Sequence, residues 1–206
     1  SSLIVSTLAW STPDASNVSS RRNFVTQSLA MAAAVVSSLP LVAQAASSSP
    51  IIQWGNEKEI MNPKAHGTSN VPVQENLNFG VERALADRIC NFNRHYAERA
   101  GYFTTTSWQD QVLTAKEPLT FYDSNTGKPL FHAPIGRSAE DLVAESKVHG
   151  WPSFRDDEVV WQNVRILRNS GETVSVDGTH LGHNLPDRLG NRYCINLVSV
   201  AGEKEE

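Results

Sequence analysis

Cysteine is close to absent from this sequence, with Cys90 and Cys194 the only two. That count excludes a disulfide-stapled scaffold and any zinc site built from four cysteines. It leaves one disulfide or two free thiols, either of which can be reactive. Basic charge is also scarce. Eighteen Lys and Arg against 22 Asp and Glu give a formal net charge of −4, which argues against nucleic acid or an anionic membrane as a partner. Long apolar runs are missing too. The most apolar stretch, Val25 to Val42, is broken by Gln27, Ser37, Ser38 and Pro40, a poor match to the roughly 20 continuous apolar residues of a membrane span. What remains, 206 residues with 40% hydrophobic and 19% charged, reads as one ordinary soluble domain with extensions.

The first extension has the marks of an address. Residues 1–20 are rich in Ser, Thr and Ala and hold a single acidic residue, Asp14, the composition of an organellar transit peptide. Arg21-Arg22 then precedes the mildly apolar stretch, and Ala43-Gln44-Ala45 closes it in a small-x-small pattern. Together these form a twin-arginine signal. The expectation is a targeting segment over 1–45 that directs the chain to a plastid and then to the thylakoid lumen. Another exported or organellar compartment is the alternative. A sequence that opens on Ser1 is expected to begin inside a longer precursor. Cleavage after Ala45 removes two positive charges and one negative, so the net of −4 becomes −5 and no membrane segment remains.

Residues 46–76 are polar and without sustained periodicity, which predicts a flexible lead-in to a domain over 77–206. From Asn78 to Arg99, Val81, Leu85, Ile89, Phe92 and Tyr96 recur at helical spacing, with Gly101 as the expected stop. Cys90 lies beside that stripe and is expected to be half-buried. Beyond Gly101 the texture turns β-like. Strands are expected at Leu119–Tyr122, Val159–Leu167, Thr173–Val176 and Asn191–Val200, with a turn over Asp123–Gly127. A short helix is expected from Ser138 to Val148, capped by Ser138 and ended by Gly150. The fold class is therefore mainly β with one or two helices, a small antiparallel assembly.

Three short stretches carry chemistry. In Arg192-Tyr193-Cys194-Ile195-Asn196, strand alternation puts Arg192, Cys194 and Asn196 on one face and the apolar residues on the other. A guanidinium beside the thiol favours the thiolate. A small buried hydrophobe is the other reading of Cys194, and this strand alone leaves both standing. His180-Leu181-Gly182-His183 brings two imidazoles toward one place, suited to proton transfer near neutral pH. No cysteine or carboxylate cluster completes a metal site around them. Gly150-Trp151-Pro152-Ser153-Phe154 offers two aromatics around a proline, either plain core or a wall for a thioether or sulfoxide.

These stretches, in this order and at about this spacing, resemble the B-type methionine sulfoxide reductases. Tyr122 with Gly127-Lys128-Pro129-Leu130-Phe131 looks like that family's earlier strand and turn. The resemblance covers Phe121 to Val200 well and Leu85 to Thr120 faintly. It implies a twisted antiparallel β-sheet or barrel-like fold with peripheral helices. It also implies reduction of the R epimer of methionine sulfoxide, generally in oxidised proteins or peptides. Carried over residue by residue, Cys194 is the nucleophile, and His180 and His183 protonate the departing oxygen. Trp151 and Phe154 bind the substrate, and Asn196 and Arg192 orient the site. The product on the protein is a Cys194 sulfenic acid.

The departures are equally specific. Many relatives hold a structural zinc with two CxxC pairs, whose positions here are Asp123, Thr126, Val174 and Asp177, so no metal and no other cofactor is expected. The family's usual resolving cysteine falls at His149. Cys90 is the remaining candidate for that role. The favoured expectation is an external thiol, supplied by a thioredoxin- or glutaredoxin-like protein. Because those positions have drifted, a second reading stands beside the enzyme: a non-catalytic descendant that acts as a thiol redox sensor or binds Met segments.

Overall fold

The computed structural model describes residues 52–205. The targeting segment expected over 1–45 lies outside the described residues, as does the beginning of the expected lead-in. The rest of that lead-in carries structure. Strand β1 (Trp54–Gly55) and helix α1 (Glu57–Ile60) lie in it, and Met61, Ser69 and Val73 are buried. Composition hid this because the segment is held by hydrogen bonds as much as by apolar contact. Asn125 donates to Ser69 Oγ at 2.7 Å, and the Asp87 carboxylate accepts from Val73 N at 3.2 Å.

Helix α2 (Arg83–Asp87) runs into a π-helical turn over Arg88–Phe92. The helix expected to reach Arg99 thus ends at Asn93, and its stripe fails where it ends: Phe92 and Tyr96 are exposed. Residues 94–98 find other partners, Arg94 on Glu172 and Glu98 beneath Leu197. Cys90 is fully buried rather than half-buried, in a small cluster with Val73, Ala86, Ile89 and Val198.

Helix α3 (Trp108–Thr114) is followed by strands β2 (Leu119–Tyr122) and β3 (Pro129–Ala133), which form a hairpin. Its turn keeps Gly127 at φ 72°, where an added Cβ would lie 2.5 Å from the Glu203 carbonyl oxygen. Helix α4 (Ala139–His149) has the expected ends. Ser138 Oγ accepts from Asp141 N at 3.0 Å, the Asp141 carboxylate accepts from Ser138 N, and Gly150 leaves the helix at φ 87°.

Strands β4 (Ser153–Phe154), β5 (Val164–Leu167), β6 (Glu172–Ser175), β7 (His180–Asn184) and β8 (Tyr193–Ile195) build the main sheet, in the order β1-β5-β6-β7-β8-β4. The mainly β expectation holds, with two corrections. The sheet is mixed, because β1 pairs parallel to β5, and it stays open, with the two-residue strands β1 and β4 as its edges and the β2–β3 hairpin separate. No barrel closes among the described residues. The core lies where Phe121 and Phe131 of the hairpin meet Phe154, with Phe131 stacked on Phe154 at 4.3 Å and Phe121 edge-on to it at 5.1 Å. Each fully buried ring of this kind stabilises the fold by about 2–3 kcal/mol.

Candidate functional site

Strand β8 places the thiol. Tyr193 and Ile195 are fully buried while Cys194 between them keeps partial exposure, as alternation predicts. Tyr193 is fixed further by its hydroxyl, which donates to Asp156 at 2.6 Å. On either side of β8, Ser153 of β4 and His183 of β7 are the register partners of Cys194.

A regular strand would turn His180 and His183 to opposite faces, because they are three residues apart. The β6–β7 ladder avoids this with a bulge. Thr173 pairs with Gly182 and Val174 with His180, so Leu181 is the extra residue. The two imidazoles therefore face one space, with ring centroids 5.8 Å apart. Gly182 between them allows β7 to approach β8, since a Cβ there would sit 2.1 Å from the Cys194 carbonyl oxygen.

A cavity of about 280 Å³ opens on this face, lined by Cys194, His180, Gly182, His183, Asn196 and Trp151, with Leu185 and residues 94–97 around them. Trp151 is held by its indole N–H, which donates to the Glu98 carbonyl at 3.1 Å. His180 is held from behind. Its Nδ1 lies 2.8 Å from Glu172 Oε1, and Arg94 Nε donates to the same carboxylate at 3.0 Å. Burial pushes the Glu172 carboxyl up, but its bonds to His180 and Arg94 hold it below the usual range. A carboxylate there makes Nδ1 the protonated nitrogen of His180 and turns Nε2 to the cavity.

The thiol is not the ready thiolate that the sequence suggested. Burial raises the Cys194 pKa, and the Arg192 guanidinium beside it offsets only part of that rise. His183 is shifted down, first by burial and then by His180, so it is neutral at neutral pH. The face thus presents an SH group across the ladder from an imidazole able to accept its proton as the sulfur reacts.

Two other expected residues stand elsewhere than expected. Phe154 does not line the cavity. It is fully buried in the core, because β4 turns its second residue inward. Arg192 does not line the cavity either: it is buried beside the thiol, with its Nε 3.4 Å from Asp187. Asn196 is buried and lines the cavity at the start of a 3-10 turn, Leu197–Ser199. Cys90 Sγ lies 3.5 Å from Ser199 Oγ, burial pushes its thiol far up, and both cysteines are free. Glu172, Glu98, Arg94 and the cavity-lining segment His95–Ala97 escaped the sequence reading. A glutamate opening a strand of Thr and Val was the one visible signal, at Glu172.

The positions at which the family resemblance would place zinc ligands do not fit that ion. Val174 has no donor atom, Asp177 is paired with Lys128 at 2.9 Å, and buried Asp123 accepts from Asn125 N and Thr179 Oγ. Among the described residues, Glu145, His149 and Asp187 bring potential ligand atoms within 4.8 Å of one another. Both of those carboxylates already engage the Arg155 guanidinium.

The described domain is thus a mixed β fold with a cavity that joins a cysteine, two histidines and a tryptophan. No protein-family model matches the chain. Individual proteins do. A peptide methionine sulfoxide reductase MsrB from Saccharophagus degradans is 30% identical over 129 residues, 61% of this chain and 78% of that protein. The MsrB of Methanosarcina mazei is 26% identical over 130 residues, 62% of this chain and 75% of its own length. That of Pseudomonas fluorescens is 28% identical over 131 residues and is covered to 87%. The chain belongs to the B-type methionine sulfoxide reductases. Methionine sulfoxide reduction is the activity of that family, with oxidised proteins as substrates and thiols as reductants in general.

Proposed function

We propose that this protein reduces (R)-methionine sulfoxide in oxidised proteins to methionine, with Cys194 as the nucleophile and a sulfenic acid as the intermediate. The observation that carries the reading is the bulged β7 strand, which turns both His180 and His183 to the cavity beside Cys194. The sulfoxide methyl packs against Trp151, and its oxygen points to the histidines and Asn196. Cys194 sulfur attacks the sulfoxide sulfur, the thiol proton passes through the imidazole pair to the oxygen, and oxygen transfers to Cys194 as methionine leaves. Glu172 fixes His180, and Arg192 stabilises negative charge as it grows on the thiol. The exposed side chains of Tyr96 and Leu185 at the cavity rim suit a methionine presented by a polypeptide.

Regeneration then needs two electrons from outside. A thiol attacks the sulfenic acid and water leaves. A second thiol releases Cys194 as a thiol and carries the electrons away as a disulfide. The burial of Cys90, with its sulfur turned to Ser199, supports an external thiol over Cys90 as the resolving group. A thioredoxin- or glutaredoxin-like protein fits that need. None of these steps calls for a metal. The twin-arginine pattern within residues 1–45 supports delivery to a plastid and its thylakoid lumen ahead of cleavage.

The test is a stereospecific assay on the chain from Ala46, using R and S sulfoxide peptides separately with dithiothreitol, beside Cys194→Ser. Turnover of the R epimer alone, abolished by the substitution, is the expected result. Folded protein that reduces neither epimer sinks the catalytic reading in favour of a thiol sensor or Met-binding descendant.

A further inference from the structure

A buried acid sits beside this site, and the proposed reaction does not use it. Glu98 is 3% exposed. Its carbonyl accepts the Trp151 indole N–H at 3.1 Å, and its Oε1 accepts from Leu197 N at 2.6 Å, two residues past Ile195 of β8. One residue thus grips both the aromatic wall and the turn that carries Asn196. Its other oxygen, Oε2, is buried with no hydrogen-bond partner among the described residues.

The groups that act on this carboxyl are backbone N–H groups, those of Leu197, Val198 and Glu98 itself, and burial outweighs them, pushing it up to about 8. Glu98 in turn acts on both thiols, Cys194 and Cys90, and disfavours the thiolate of each. Around Cys194 stand Arg192 on its own strand side, His180 and His183 from β7, and Arg94 and His95 at the cavity wall. Glu172 lies behind His180. Of the groups that act directly on the Cys194 thiol, Glu98 is the one able to turn negative, in opposition to Arg192.

We propose that Glu98 is a positioning residue of this site: its carboxyl holds the Asn196 turn through Leu197 N, beside the main-chain carbonyl that holds Trp151, and the uncharged carboxyl is the state that permits a Cys194 thiolate. Its effect on turnover rests on Cys194 being the nucleophile. Its effect on the thiol does not. A carboxyl is needed in place of an apolar side chain because Leu197 N requires an acceptor. An acceptor that ionises sets an upper pH limit on the site.

Glu98→Gln separates the two roles, since the amide oxygen still accepts from Leu197 N but the side chain cannot become charged. The readout is the alkylation rate of Cys194 by iodoacetamide across pH, followed by mass spectrometry of the Cys194 peptide so that Cys90 does not interfere. The pH profile of kcat/KM on the R sulfoxide is taken in parallel. At about pH 6.5, where both side chains are neutral, wild type and variant are expected to alkylate alike. At about pH 9 the variant is expected to react about threefold faster, because its side chain places no negative charge near the thiol. A purely structural Glu98 gives a rate ratio that does not change with pH, and that result overturns the proposal. If turnover is present but the ratio is flat, this inference fails and the reductase reading stands. If turnover is absent but the ratio rises with pH, the reverse holds. Glu98→Ala, which removes the acceptor for Leu197 N, is expected to raise KM for the sulfoxide peptide.

Discussion

Replacing Gly182 by alanine puts a methyl group where β7 crosses closest to the nucleophile strand. The added Cβ would lie 2.1 Å from the Cys194 carbonyl oxygen and 3.0 Å from Ile195 Cα. Both neighbours are backbone, so no side chain can swing aside. Ordinary contact needs a separation of about 3.2 Å or more, so β7 and β8 must part by about 1 Å. β7 is also paired with β6 on its other side, which limits where it can go. Forced repacking of this kind costs about 1–3 kcal/mol, which lowers the melting temperature by about 3–10 °C in a domain of this size. The same shift separates His183 from its partner Cys194, and a misplacement of about 1 Å at reacting groups costs on the order of 100-fold in rate. Thermal unfolding and kcat/KM on an R-sulfoxide peptide measure the two effects. A variant that melts within about 1 °C of wild type and turns over within about twofold would refute the close-approach argument.

Other substitutions separate the remaining roles. Glu172→Gln leaves one amide oxygen to serve both His180 and Arg94, and kcat is expected to fall by on the order of 100-fold through loss of the correct imidazole state. Glu98 carries its proton into the folded state, with a pKa raised to about 8 by burial. Its stabilising contribution is thus present below the ordinary carboxyl range and is lost as pH rises toward 8. Wild type is expected to lose a few kcal/mol between about pH 5 and pH 8 relative to Glu98→Gln, read from denaturant midpoints. Cys90→Ser is expected to keep turnover with dithiothreitol within about twofold, because recycling does not pass through it. Zinc chelation is expected to leave the melting temperature unchanged, since Lys128 already holds Asp177 and Val174 offers no ligand.

The parts of the fold governed by local rules were legible in the sequence. Ser138 and Gly150 mark the ends of α4, and alternation around Cys194 holds for the length of β8. The parts governed by long-range pairing were not. Nothing local announces that Leu181 is a bulge, because a bulge is a property of two strands in register. The helical stripe from Val81 to Tyr96 overran its helix for a similar reason: Arg94 and Glu98 leave it for partners 78 and 99 residues further on. Residues 52–76 looked like linker because their ties are polar. Within the site, strand position left Cys194 and Trp151 open between core and site; the family resemblance singled them out with the histidine pair, and the fold brings all four to one cavity. Phe154 was misread because a turn aromatic gives no sign of which way the next strand will face. The thiol's raised pKa was also out of reach, since burial competes with Arg192 and only the three-dimensional surroundings decide the winner.

The most direct measurement is a single turnover without reductant. Reduced protein from Ala46 is mixed with excess R-sulfoxide peptide, and methionine product is counted while the cysteine peptides are analysed by mass. The account predicts one equivalent of methionine, one added oxygen on Cys194 that dimedone traps as sulfenic acid, and an unmodified Cys90. Methionine formed with Cys194 unoxidised, or a Cys90–Cys194 disulfide in place of the sulfenic acid, would contradict it.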